Sequence, residues 1–490
     1  MPSNIHPRRA RILFIKCSQY EGVLSAFSFP LGLMYIASTL RQRTEGHEIE
    51  ICDLRVNGQD YGDMEATVTR FKPDIVALSA ITVEAPSMIQ AAATVRATGF
   101  DGTIIVGGPH PTAFPEEALS CPDVDILVLG EGEETFVELV EAWSREKDMN
   151  AVRGIAYRGD DGEVIRTPAR NFIEDLDAIP LPAWDLVNVG EYSRFKSMSG
   201  IRSSARFMNL LTSRACPYNC IYCQTMFGKK HRARSPKNVL EEAKLLVERY
   251  DVRYFEIMDD MFNCRLDRSK EIFDLMHAEG LEVDIAFPNG LRCDRLDREF
   301  LTKLSKFGHS LICVPVESAS PRIQKLVKKN LNLGKVTQTI NTCADLGIYT
   351  RGYFMLGFPS ETKKELEATV DYAVRSKLHA AFFFVVVPFK GTELYETYAE
   401  ELDKRDYKHE DYDYFRGPMN LSTVSDEVLF DIQRWAYVRM AASPSRIMRI
   451  FRDFPNRRFV WPAVKTGVEL FRAAGKGHKT GKPDLIPGAK

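Results

Sequence analysis

No apolar run in this chain approaches the roughly eighteen residues of a membrane span. Its opening, Met1-Pro-Ser-Asn-Ile-His-Pro-Arg-Arg9, has no apolar signal core; Arg8, Arg9 and Arg11 flank a bare strand. Ten cysteines among 490 residues are too dilute for a disulfide framework. A net charge of −2 gives no basic surplus for wholesale nucleic-acid binding. The dinucleotide fingerprint Gly-x-Gly-x-x-Gly is absent. Together these absences predict a soluble cytoplasmic protein with no nucleic-acid partner. With 44% hydrophobic and 27% charged residues it has an ordinary globular composition, and its length predicts roughly three domains.

What is present is concentrated in eight residues. Cys216, Cys220 and Cys223 stand in the run Thr212-Ser-Arg-Ala-Cys-Pro-Tyr-Asn-Cys-Ile-Tyr-Cys223, directly after the apolar Phe207–Leu211. Three thiolates on one loop can hold three irons of a 4Fe–4S cluster and leave the fourth open to a ligand. A structural zinc site is closed by four ligands, and His231 and Cys264 are not at finger spacing. A zinc clip, or cysteines that merely pack in a core, is the plainer alternative.

The pattern C-x3-C-x-aromatic-C, with Tyr222 as the aromatic, resembles the radical S-adenosylmethionine (SAM) enzymes. The resemblance implies that the open iron chelates SAM and that reductive cleavage yields a 5'-deoxyadenosyl radical. It places Tyr222 near the adenine. It also implies an electron donor such as a flavodoxin or ferredoxin.

Residues 10–145 alternate continuous apolar runs with amphipathic helices, for example Ile12–Ile15, Ile75–Leu78 and Thr103–Val106. That pattern predicts an α/β doubly wound, flavodoxin-like parallel sheet, with its ligand beyond the carboxyl ends of the strands. The loops there read Ser79-Ala-Ile-Thr82, Gly107-Gly-Pro-His-Pro-Thr112 and Gly130-Glu-Gly-Glu-Glu-Thr135. As a set, with Pro30-Leu-Gly-Leu-Met-Tyr35, they look like the cobalamin-binding domain of one large radical SAM class. The resemblance makes Ser79, Thr82, Gly107, Gly108, His110, Thr112, Gly130, Glu131 and Gly132 the candidate cobalamin contacts. The Asp-x-His-x-x-Gly motif that supplies cobalt with a protein histidine is absent. The cofactor is therefore expected base-off, with His110 bonded within its own loop.

Residues 146–200 read as a connector with a hairpin around Asp160-Asp-Gly162, followed by a proline-rich stretch. From 201 to 395 six strand–helix units predict a partial (β/α)6 barrel, the radical SAM core by resemblance. Functional groups on such barrels come from the carboxyl ends of the strands. By resemblance Asp259 and Asp260 meet the SAM amino group, although an acidic residue there also suits a helix N-cap. Glu317 and Ser318 resemble residues that meet the SAM ribose and carboxylate. Asn289, Arg292, Arg351, Tyr353 and Glu361 are secondary candidates. The sequence identifies no catalytic residue beyond these cofactor sites.

Residues 396–475 are expected to be helical and 476–490 disordered. From Ser445 to Lys490 eleven Lys or Arg face three acids, a net of +8, with Phe451, Phe454, Phe459, Trp461 and Phe471 interleaved. Such a tail either packs on the barrel or makes peripheral contact with an anionic inner membrane face. Three functions fit. The first is a cobalamin-dependent radical SAM methyltransferase acting on an unactivated carbon of a small or lipid-like molecule. The second is a non-methylating cyclase or carbon–carbon bond former working on a tetrapyrrole or lipid. The third is a cobalamin-binding regulator with a structural cluster.

Overall fold

The computed structural model describes residues 8–18, 26–56, 60–199, 206–224, 226–404 and 419–454. The chain divides into two compact units, one built mainly from residues 29–194 and the other from 195 onward.

The first unit is a seven-stranded sheet. Its strands are β1 (Arg11–Lys16), β2 (Glu48–Asp53), β3 (Ile75–Ser79), β4 (Thr103–Gly107), β5 (Ile126–Val128), β6 (Ile155–Arg158) and β7 (Val164–Arg166). Their order is β2-β1-β3-β4-β5-β6-β7. The first five are parallel. Both faces are buried, which explains why the strands read as continuous apolar runs. Leu13, Ile15, Val76 and Leu78 face the helices Tyr61–Phe71 and Ala85–Ala97. Ile12, Phe14, Ile75 and Ala77 face Leu31–Arg43 and Glu133–Ser144. Each fully buried aliphatic side chain is worth about 1.5–3 kcal/mol, so this two-sided core holds the sheet. The hairpin that the sequence placed in the connector pairs antiparallel on β5 and extends this sheet.

The second unit carries six parallel strands in sequential order: β8 (Arg206–Leu210), β9 (Val252–Ile257), β10 (Asp284–Phe287), β11 (Ser310–Glu317), β12 (Tyr349–Leu356) and β13 (Ala380–Val385). The helices Pro236–Tyr250, Leu266–Ala278, Arg298–Leu304, Leu333–Asp345 and Lys363–Arg375 lie between them. This is an open (β/α)6 barrel. β12 runs from Tyr349 to Leu356. Arg351 and Gly352 interrupt the apolar pattern, but backbone pairing to β11 and β13 carries the strand through them.

Among the described residues three helices follow: Glu393–Asp403, Asp426–Ala441 and Pro444–Asp453. His379 pins the last of them to the barrel. Its Nε2 lies 2.8 Å from Asp453 Oδ2, and its Nδ1 accepts from the Thr350 N–H at 3.0 Å. The basic tail beyond Phe454, including the stretch expected to be disordered, lies outside the described residues. Among the described residues no helix is long and apolar enough to cross a membrane.

Candidate functional site

The cysteine loop leaves the carboxyl end of β8. Ser213–Arg214 pairs antiparallel with Arg232–Ala233 and closes the loop at its base. Asp259, just past β9, fixes that base. Its carboxylate accepts from Thr212 N and Thr212 Oγ1 at 2.6 Å and from Ser213 Oγ at 2.5 Å, and it is only 2% exposed. Both Asp259 oxygens therefore hold the loop in this structure. Asp260 accepts from Ala215 N at 3.0 Å through Oδ2, with Ala215 in the left-handed region at φ 73°. Desolvation, and then neighbouring Asp259, raise the Asp260 carboxyl above its ordinary value, against the pull of the Ala215 N–H.

Cys216 and Cys220 are half-buried, and Cys223 is the most exposed of the three. Burial pushes the Cys216 thiol up. The loop around Cys223 pushes its thiol up to about 11, with Cys220 and Cys216 adding to the shift. Iron would reverse this mutual repulsion, since a coordinated thiol is deprotonated outright. Among the described residues no three His, Cys, Asp or Glu side chains converge as they would on one ion. A 4Fe–4S cluster gives each thiolate its own iron, and the three thiols of this one loop match that demand in number and kind.

The sequence reading missed Lys329. Its Nζ donates to Glu317 Oε1 at 2.7 Å and to Tyr222 Oη at 3.2 Å. Glu317 ends β11 in the left-handed region, at φ 64°. The short helix Pro321–Leu326 and two further left-handed residues, Lys328 and Asn330, bring the chain back to it. Nothing in the run Val327-Lys-Lys-Asn330 marks one lysine over the other. Backbone bonds dock the cysteine loop here as well: Ile221 N donates to Val327 O at 3.2 Å, and Leu394 N donates to Ile221 O at 2.9 Å. The Tyr222 ring packs on Phe358, centroids 5.7 Å apart.

Ser318, like Asp259, is engaged within the protein. It is fully buried, shares a hydrogen bond with Thr369 Oγ1 at 3.2 Å and accepts from Ser320 N. It shapes the turn. Arg292 stacks its guanidinium 3.8 Å above the Tyr218 ring and donates to Lys329 O, so it braces the cysteine loop. Asn289 donates to Met258 O. Glu361 Oε2 accepts from the N–H groups of Gly357 and Phe358 and closes the turn after β12.

In the first unit the candidate loops share the carboxyl ends of β3, β4 and β5. Ser79 and Gly107 end neighbouring strands in register. Thr82 is buried at the start of a short turn over Thr82–Glu84. Gly108 sits at φ 102°, where a Cβ would come 2.9 Å from Ala80 O. Thr112 Oγ1 accepts from Gly130 N at 3.1 Å and joins two loops. At Gly130, φ 78°, a Cβ would meet nothing within 4 Å. The loop backbone there is open to close approach by a ligand, as a corrinoid contact would need.

Three of the expected cobalamin contacts also have packing or hydrogen-bond roles within the unit. Glu131 Oε2 accepts from Ile173 N at 2.8 Å. A Cβ on Gly132 would lie 2.9 Å from Ile36 Cδ1, so this glycine lets two helices pack. His110 is 1% exposed and stacks on Phe114, centroids 5.4 Å apart.

Comparison with known proteins agrees with this division. Residues 22–140 match the B12 binding domain, and residues 210–373 match the Radical SAM superfamily. An uncharacterized methyltransferase of Pyrococcus horikoshii is 30% identical over 435 residues, 88% of this chain and 92% of that protein. The cytidylyl-2-hydroxyethylphosphonate methyltransferase of Streptomyces wedmorensis is 31% identical over 415 residues, 75% of this chain and 77% of that protein. Among solved structures, the radical S-adenosylmethionine methyltransferase TsrM from Kitasatospora setae, with cobalamin and a [4Fe-4S] cluster bound, superimposes with a TM-score of 0.70. It is 15% identical, and the match covers 96% of this chain and 99% of that one.

Proposed function

The chain belongs to the cobalamin-dependent radical SAM enzymes with an N-terminal B12-binding domain, and on that premise we propose that it transfers a methyl group to an unactivated carbon of a small molecule held in the barrel. The observation that carries this reading is the junction of the cysteine loop with Glu317 through Tyr222 and Lys329. When bound, the cluster with SAM supplies hydrogen-atom abstraction and the corrinoid supplies the methyl group.

The residues of the chain divide the remaining work. Cys216, Cys220 and Cys223 hold the cluster. Asp260, whose second oxygen forms no hydrogen bond among the described residues, faces the SAM ammonium, a charge that would favour its ionised form. Glu317 offers the second carboxylate, held in place by Lys329. Tyr222 lines the adenine side, its ring fixed by Phe358. The loops ending in Ser79, Gly108 and Gly130 cradle the corrinoid with backbone and small side chains, and no histidine reaches the cobalt. A flavodoxin- or ferredoxin-type donor supplies electrons.

The test is an anaerobic assay with SAM, cobalamin and reductant. The purified chain should release 5'-deoxyadenosine together with S-adenosylhomocysteine, the product of methyl donation from a second SAM. 5'-Deoxyadenosine alone, with no S-adenosylhomocysteine and no methylated product in the presence of substrate, would shift the assignment to a non-methylating relative. Release of neither would make the chain a binding protein.

A further inference from the structure

The inner wall of the barrel carries a cation that has no counterion among the described residues. Arg351 lies on β12, paired in register with Cys313 of β11 and Ala380 of β13. Side chains alternate along the strand. Thr350 bonds outward to His379 and Phe354 stacks on Phe383, whereas Arg351 and Tyr353 share the opposite face with Phe382 and Phe384. The Arg351 guanidinium stands 5.1 Å above the Phe382 ring. Tyr353 meets Phe384 edge-on at 5.5 Å. Its hydroxyl donates to Pro288 O at 3.0 Å and accepts from Cys313 Sγ.

Among the described residues no carboxylate forms an ion pair with Arg351, and its buried Nε has no acceptor. Glu256, the carboxylate buried on β9, is already engaged. Its Oε1 accepts from Ser199 N at 2.7 Å, and its Oε2 accepts from Met198 N at 3.0 Å and Asn209 Nδ2 at 3.2 Å. A guanidinium whose Nε is buried and which has no carboxylate partner among the described residues is costly to hold. Its planar fork of donors matches a carboxylate or a phosphoryl group. Arg351, Tyr353, Phe382 and Phe384 are all only half-buried, so a ligand inside the barrel can reach them.

We propose that Arg351 receives an oxyanion of the substrate, a carboxylate or a phosphoryl group, while Tyr353, Phe382 and Phe384 hold the apolar body attached to it. The substrate class is thus an organic anion with an apolar or aromatic portion. This rests on the reading of the barrel interior as the substrate chamber.

The test uses the full chain with cluster, SAM and cobalamin loaded, and three probes of similar shape: phenylphosphonate, benzoate and benzyl alcohol. Calorimetric titration should show at least one of the anions binding about tenfold or more tighter than the alcohol, the scale of one charge-assisted contact. A preference for phenylphosphonate assigns phosphoryl substrates, and a preference for benzoate assigns carboxylates. Arg351→Met should level the three probes, and Arg351→Lys should keep part of the preference, with circular dichroism reporting whether each variant is folded. The proposal is overturned if neither anion exceeds the alcohol with wild-type protein, or if folded Arg351→Met or Arg351→Lys keeps the full preference. It is also overturned if Arg351→Met weakens SAM binding and not probe binding, because the cation would then serve the SAM carboxylate. Cleavage of SAM by the wild-type preparation is scored separately. Cleavage without anion preference sinks this subsite alone, and anion preference without cleavage sinks the enzymatic reading alone.

Discussion

Lys329 Nζ lies 2.7 Å from Glu317 Oε1, and the same ammonium reaches the Tyr222 hydroxyl, so one buried cation couples the end of β11 to the cysteine loop. Removing it leaves Glu317 buried, charged and in a left-handed backbone conformation. Lys329→Met should therefore cost about 3 kcal/mol of stability and weaken SAM binding by about tenfold or more, with Lys329→Arg intermediate. Urea unfolding and equilibrium dialysis measure the two effects. An unchanged unfolding midpoint with unchanged SAM affinity would remove Lys329 from the site.

Cys216→Ala should abolish SAM cleavage and lower bound iron, while the first unit stays folded and still binds corrinoid. Iron and sulfide analysis with corrinoid titration of the same sample checks both halves. The other seven cysteines should be dispensable for iron, because Cys17, Cys52, Cys121, Cys293, Cys313 and Cys343 are buried and Cys264 lies in another loop. A triple Ala variant of Cys216, Cys220 and Cys223 that kept a full cluster would place it elsewhere.

His110→Ala should leave the visible spectrum of bound cobalamin in its base-off form, since the imidazole is packed against Phe114. A spectrum that changed from histidine-ligated to unligated would contradict this. Gly108→Ala should be worse for binding than His110→Ala. Its Cβ would press on Ala80 O, and its φ of 102° is strained for any side chain. A loss of about 1–3 kcal/mol is expected from the strained backbone.

Burial pushes the Glu361 carboxyl up to about 8, against the pull of the Gly357 and Phe358 N–H groups, while its Oε1 is buried without a partner. The folded state thus binds a proton that the unfolded chain releases near 4.5. The stability from this group is full below that value, falls as pH rises towards 8 and is flat above it. Glu361→Gln should remove that slope. Urea midpoints at several pH values between 5 and 9, compared with the parent, measure it; parallel curves would mean that Glu361 is ionised throughout.

The sequence made the two-domain architecture and the cysteine loop legible because both are local. A buried parallel strand must be a continuous apolar run, and three thiols within eight residues share a loop under any folding of the rest. The start of β12 is less legible, because Arg351 and Gly352 break the apolar pattern and are held in the strand by pairing on both edges. The hairpin at 155–166 was recognised as a hairpin, but the sheet it joins was not, since pairing partners are nonlocal.

The roles of individual polar residues were decided by tertiary structure. Asp259 and Asp260 are adjacent in sequence and look equivalent, yet the first is consumed by Thr212 and Ser213 and the second keeps one oxygen free of hydrogen bonds among the described residues. Glu131, Gly132 and Ser318 fall inside recognisable motifs, and the contacts each makes within the protein are visible only in the folded chain. Lys329 and Arg351 carried no motif, and their importance comes from what surrounds them. A charge acquires a role only when the chain has chosen which groups it is buried beside. The sequence by itself determined which cofactor chemistry this chain is built around; folding alone decided which side chains are left to perform it.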